Sequence, residues 1–135
     1  MSYLSPRTLA ELERAIGSYW NFSSRQFNLQ GNTSHVLSSA KHITPGEAFA
    51  DKVIADQEAY TARYMTNGDR FRKPEEVLYY LTSGSHVVAY VTAGGDYAID
   101  NKLFTPQRLR IVAKGITHAS KRAGIVFGDE LEEVA

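Results

Sequence analysis

The sequence predicts an α+β fold, one small domain over residues 1–135 with four to five helices packed around a short antiparallel sheet centred on a hairpin at 87–100. Three observations lead there. The apolar run from His86 to Thr92 meets Gly94-Gly95 and returns through Asp96-Tyr97-Ala98-Ile99-Asp100, a hairpin signal because glycine takes positive φ without strain. Ser or Thr stands directly before Pro at Ser5-Pro6, Thr44-Pro45 and Thr105-Pro106, and each pair precedes a stretch of helical periodicity. The chain is 43% hydrophobic and has no cysteine, so its stability has to come from an apolar core and not from disulfides.

Composition narrows the function classes. Lys and Arg number 15, as do Asp and Glu, so any attraction to a polyanion must be local. Absence of cysteine removes thiolate zinc sites, iron–sulfur clusters and cysteine nucleophiles, and fits a reducing compartment. No apolar run is long enough to span a membrane, and the first residues lack the pattern of a signal peptide, so a cytoplasmic protein with no membrane partner is expected. There is no Walker-type loop, GxGxxG, HExxH or GxSxG, and there are no paired metal-binding acids; neither a cofactor nor a metal is expected.

Element by element, Ser5 is expected to cap the first helix, with Pro6 at its first position and Leu4 stapled onto Leu9. Leu9, Leu12, Ile16 and Trp20 then form one stripe, with Arg7, Glu11 and Arg14 turned away. Residues 21–32 read as a loop pinned by Phe22, Phe27 and Leu29, or as an irregular strand, and are long enough to be a contact surface. Thr33 or Ser34 opens a short helix through Ala40, and His35 and His42 lie too far apart to share a metal bound at about 2 Å.

Thr44-Pro45-Gly46-Glu47 reads as a capping box opening a helix to Met65, stopped by Asn67-Gly68. Phe49, Val53, Tyr60 and Tyr64 share a face of it, and Asp56 falls in the middle of that face, where it is expected to pair with Lys52 or Arg63. Arg70, Arg72 and Lys73 make a basic loop suited to phosphate or an acidic partner. Pro74-Glu75-Glu76 suits a helix start, with Val77, Leu78 and Leu81 on its apolar side and Ser83-Gly84 at its end.

Pairing Ala93 with Asp96 across Gly94-Gly95 puts Val88, Tyr90, Tyr97 and Ile99 on one hairpin face and Val87, Ala89, Val91 and Ala98 on the other. Both faces are largely apolar, so helices or a partner must cover them. From Pro106, Leu109, Val112, Ile116, Ala119 and Ala123 form a narrow inward stripe of a last helix, lying on the small-residue hairpin face. Arg110, Lys114, His118, Lys121 and Arg122 run along its outer side. Gly124 ends that helix, Ile125-Val126-Phe127 reads as a third strand or core plug, and Asp129 to Glu133 form an acidic tail.

The leading functional expectation is a non-catalytic interaction protein that engages a protein partner or a second copy, as a dimer, through Val88, Tyr90, Tyr97 and Ile99. The alternative is a nucleic-acid-binding module, with the outer basic side of the last helix and the Arg70, Arg72 and Lys73 loop on phosphates and a Tyr or Phe stacking on bases. A third is a small acid–base enzyme using His86 with Asp96 or Asp100, but the hairpin register holds His86 far from Asp96, so an enzyme is not the expectation.

Overall fold

The elements in chain order are α1 (Leu9–Gly17), β1 (Phe22–Ser24), β2 (Leu29–Thr33), α2 (Ala48–Asn67), β3 (Val77–Ser83), β4 (His86–Thr92), β5 (Tyr97–Ile99), a 3-10 turn (Asn101–Leu103) and α3 (Pro106–Val126). The computed structural model describes residues 5–34, 43–68 and 71–126. The five strands form one antiparallel sheet in the order β1-β2-β3-β4-β5. α1 and α3 cover one face of it and α2 the other. The α+β class stands, but the described residues hold three α-helices, not four to five, and the sheet centres on β3 and not on the β4–β5 hairpin.

The missing helix is β3 itself. Val77 to Thr82 are all buried, because helices cover both faces of this middle strand. A strand buried on both sides shows no polar alternation, so its run of apolar residues resembles a buried helix. Gly84, at φ 63°, is accordingly no helix stop; with Ser85 it turns β3 into β4, and Ser83 pairs with His86 across it.

Two bulges decide which face each side chain meets. Val77 opposes Thr92 and Tyr79 opposes Val91, so Leu78 is the extra residue on β3; Leu81 opposes Ala89 and Thr82 opposes Val87, so Val88 is the extra residue on β4. Leu78, Tyr79, Leu81, Val88, Ala89 and Val91 consequently join Leu12 and Ile16 of α1 and Val112, Ile116 and Ala119 of α3 in the larger core. Val77, Tyr80 and Val87 face Ala50 and Val53 of α2.

Residues 21–32 resolve into the β1–β2 hairpin, anchored by buried Phe22 and Leu29 and turned at Asn28, whose φ is 50°. Thr33 closes β2 instead of opening a helix, and 35–42 lie outside the described residues. α1 is capped not by Ser5 but by Thr8, whose side chain accepts from the Glu11 N–H at 3.1 Å. Gly46 stands at φ 102°, a value no helix takes, so α2 starts one turn after Thr44-Pro45, while Gly68 at φ 67° closes it as expected. Thr105 does precede α3, and its Oγ1 accepts from the Arg108 N–H. α3 continues through Ile125 and Val126, which are therefore helical and not a third strand; Phe127 and the acidic tail lie outside the described residues. No helix among the described residues is long and apolar enough to cross a membrane.

Candidate nucleic-acid interface

α3 carries five Arg and Lys residues and no Asp or Glu. Val112, Ile116, Ala119 and Ala123 are buried, which fixes the rotation of the helix and turns the opposite side to solvent. Two glycines let α1 and α3 cross closely. A Cβ on Gly115 would stand 2.8 Å from Ile16 Cβ, and one on Gly17 would stand 2.8 Å from His118 Cδ2. Gly115 thus serves the contact with α1.

Arg110, Lys114, His118 and Lys121 emerge exposed on the outer side. With Ala113 and Thr117 of α3 and Glu13 of α1 they line a shallow groove. None of the four makes an ion pair or side-chain hydrogen bond with any described residue. Arg122 behaves differently: its Nη1 donates to the Gly17 carbonyl at 3.0 Å, binding the end of α1 to α3. Beside it, the Tyr19 hydroxyl donates to the Ala119 carbonyl; burial pushes its pKa up to about 12, against a smaller lowering by Arg122. Tyr79, edge-on to Tyr19 at 5.5 Å, donates to the Trp20 carbonyl at 2.8 Å, and its pKa is also raised, by burial first and then by Tyr19.

The β4–β5 turn brings the other basic segment to the same end of the molecule as Lys121. Its loop has three residues, Ala93-Gly94-Gly95, with Gly95 at φ 98°. Ser120 Oγ donates to the Gly95 carbonyl, and the Gly94 N–H donates to the Pro74 carbonyl at 2.8 Å. Lys73, next to Pro74, is exposed. Arg72 is not: at 4% exposure its guanidinium stacks 4.4 Å over the Tyr60 ring and donates to the Ser34 carbonyl, so it is not available to a solvent-borne anion. Arg70 lies outside the described residues.

The three-residue loop also shifts the hairpin by one residue from the expected register. Thr92, not Ala93, pairs with Asp96, and Ala89, Tyr90 and Val91 oppose Ile99, Ala98 and Tyr97. With the Val88 bulge, this separates the four residues expected on one partner-binding face. Val88 is fully buried under α1 and α3, and Ile99 packs at the margin of that core. Tyr90 lies on the opposite face, edge-on to Phe49 at 5.2 Å and beneath Lys52. Tyr97 alone is strongly exposed, at 48%.

The third possibility, a His86 pair with Asp96 or Asp100, does not form. His86 Nδ1 lies 2.6 Å from Glu47 Oε1 on the surface, while Asp100 Oδ1 accepts from the Lys102 N–H. Asp56 is held structurally, accepting from Lys52 Nζ at 3.1 Å and from the Val77 N–H at 3.0 Å, as the Lys52 pairing anticipates. No group of three or more His, Asp or Glu suited to a metal occurs among the described residues. Glu13 is the groove residue that sequence reasoning misses, because only the α1–α3 crossing brings it there; Ala113 and Thr117 are implied by helical spacing from Arg110. Comparison with known protein families, curated proteins and solved structures gives no match to this chain.

Proposed function

We propose that the protein is a non-catalytic binding module that takes nucleic-acid phosphates on the outer ridge of α3. The observation that carries this reading is that Arg110, Lys114 and Lys121 are exposed at helical spacing with no described anionic partner. Long charged side chains projecting in a row from a helix whose position is fixed by its core offer phosphates several contacts at set spacing. Lys73, at the Lys121 end, extends the row. The test is the double substitution Lys114→Glu and Lys121→Glu. Both side chains are exposed, so the fold is expected to persist, and binding should fall equally for all base sequences, because phosphate contacts carry no base information. Unchanged retention of nucleic acid by this variant would remove the reading.

A second reading keeps one specific observation in its favour. The exposed Tyr97 sits on β5, which among the described residues is an edge strand with an unpaired side, and this suits association with a protein partner or a second copy of the chain.

A further inference from the structure

Tyr97 and the α3 ridge belong to one surface. Tyr97 opposes Val91 and Ile99 opposes Ala89, and Val91, Ala89 and Ile99 all join the core beneath α1 and α3, so the Tyr97 side chain rises on the α3 side of the sheet. Ile99 is tucked against that core, whereas Tyr97, at the edge, is not. α3 contacts β5, and Ser120, the residue before Lys121, lies on Gly95. Asp96 alone stands between Gly95 and Tyr97, so their Cα atoms lie at most about 7 Å apart. The aromatic ring therefore flanks the Lys121 end of the cationic row.

We infer that the nucleic acid taken by the ridge is single-stranded, with phosphates on Arg110, Lys114 and Lys121 and a base stacked on Tyr97. This rests on the phosphate-binding reading above and goes further by naming the form of the partner. Three things support it. Nothing among the described residues stacks on the Tyr97 ring or bonds to its hydroxyl, whereas Trp20 carries Arg14 at 5.8 Å and Tyr90 is covered by Phe49. The Asp96 carboxylate, next in the chain and paired with Thr92, falls by strand alternation on the opposite face and so does not crowd the Tyr97 ring. From Arg110 to Lys121 the helix rises about 16 Å, which suits an oligomer and not a mononucleotide. A duplex keeps its bases stacked internally and has none to give; an unpaired strand can turn one onto an aromatic face.

The test compares a short oligo(dT), an abasic strand of the same length and a duplex, each against wild type, Tyr97→Ala, Tyr97→Phe and the Lys114→Glu/Lys121→Glu variant. Wild type is expected to bind oligo(dT) more tightly than the abasic strand. Tyr97→Ala should lose about 5- to 150-fold on oligo(dT) and nothing on the abasic strand or the duplex. Tyr97→Phe, which keeps the ring, should bind as wild type does. If all three ligands bind wild type and Tyr97→Ala alike while the double lysine variant binds none, the phosphate reading stands and the stacking inference falls. If wild type binds no ligand at low salt, both fall. If Tyr97→Ala instead turns a dimer into a monomer without changing oligo(dT) binding, Tyr97 belongs to a protein interface and the inference is overturned.

Discussion

The two faces of the sheet handle charge in opposite ways. On the α2 face, Arg63 grips Glu76 through both guanidinium nitrogens, at 2.8 and 2.5 Å, and also donates to the Phe71 carbonyl. Lys52 is engaged by Asp56 and the Glu75 carbonyl, and Arg72 by Ser34 and Tyr60. Lys52, Arg63 and Arg72 are thus committed to holding α2 and the 71–76 loop against β3. On the α1/α3 face, apolar side chains, two close-approach glycines and the Tyr19 and Tyr79 hydroxyls do most of the holding, helped by Arg122 on the Gly17 carbonyl and Arg108 on the Phe27 carbonyl. Arg110, Lys114 and Lys121 of α3 are thereby left to solvent. Equal numbers of acidic and basic residues conceal this, since most of the pairing lies on one face.

High pH gives the largest test of how the layers are held. Folded Tyr19 and Tyr80 titrate at about 12, both raised by burial, against about 10 when unfolded. The stability they contribute is complete below pH 10 and is lost as pH rises from 10 to 12, because the unfolded chain releases its protons first. At about 1.4 kcal/mol per pKa unit, each contributes roughly 3 kcal/mol, and Tyr79 adds to the effect in the same direction. Denaturant midpoints measured from pH 8 to 12 should fall steeply above pH 10; a flat profile to pH 12 would show that the hydroxyls are not held neutral by burial.

Glu76→Gln separates the two faces more sharply. The carboxylate is 6% exposed and receives Arg63 and the Lys73 N–H, so Gln takes away the charge and one acceptor oxygen opposite a partly buried guanidinium that keeps the Phe71 carbonyl, at a cost of about 1.5–3 kcal/mol. Chemical denaturation should register that loss, while the folded variant keeps its oligonucleotide affinity. A change of less than about 1 kcal/mol would mean that the ion pair does not hold the α2 layer.

α3 was legible in the sequence because its information is local: Thr105-Pro106 starts it, and the spacing of Val112, Ile116 and Ala119 fixes which side faces inward. The end of α2 at Gly68 was legible for the same reason. β3 was not, since Pro74-Glu75-Glu76 imitates a helix start while Glu76 is in fact the anchor for Arg63, and burial on both faces erases the alternation that marks a strand. The hairpin was recognisable but not its register, which one extra loop residue decides, nor the Val88 bulge, which depends on β3. Nor does residue type distinguish Arg72 from Lys114. Arg72 lies in a polar loop and Lys114 on an amphipathic helix, so both read as exposed, and only tertiary contacts bury Arg72.

The central claim, that the unpaired cations of α3 are the binding surface, is tested most directly by the salt dependence of oligo(dT) affinity. Three phosphates neutralised on a single strand predict a slope of about −2 for log K against log salt. The Arg110→Glu/Lys114→Glu/Lys121→Glu variant, still folded by circular dichroism, should show no measurable binding at low salt. A triple variant that binds with the wild-type slope, or a wild type that does not bind at low salt, would contradict the account.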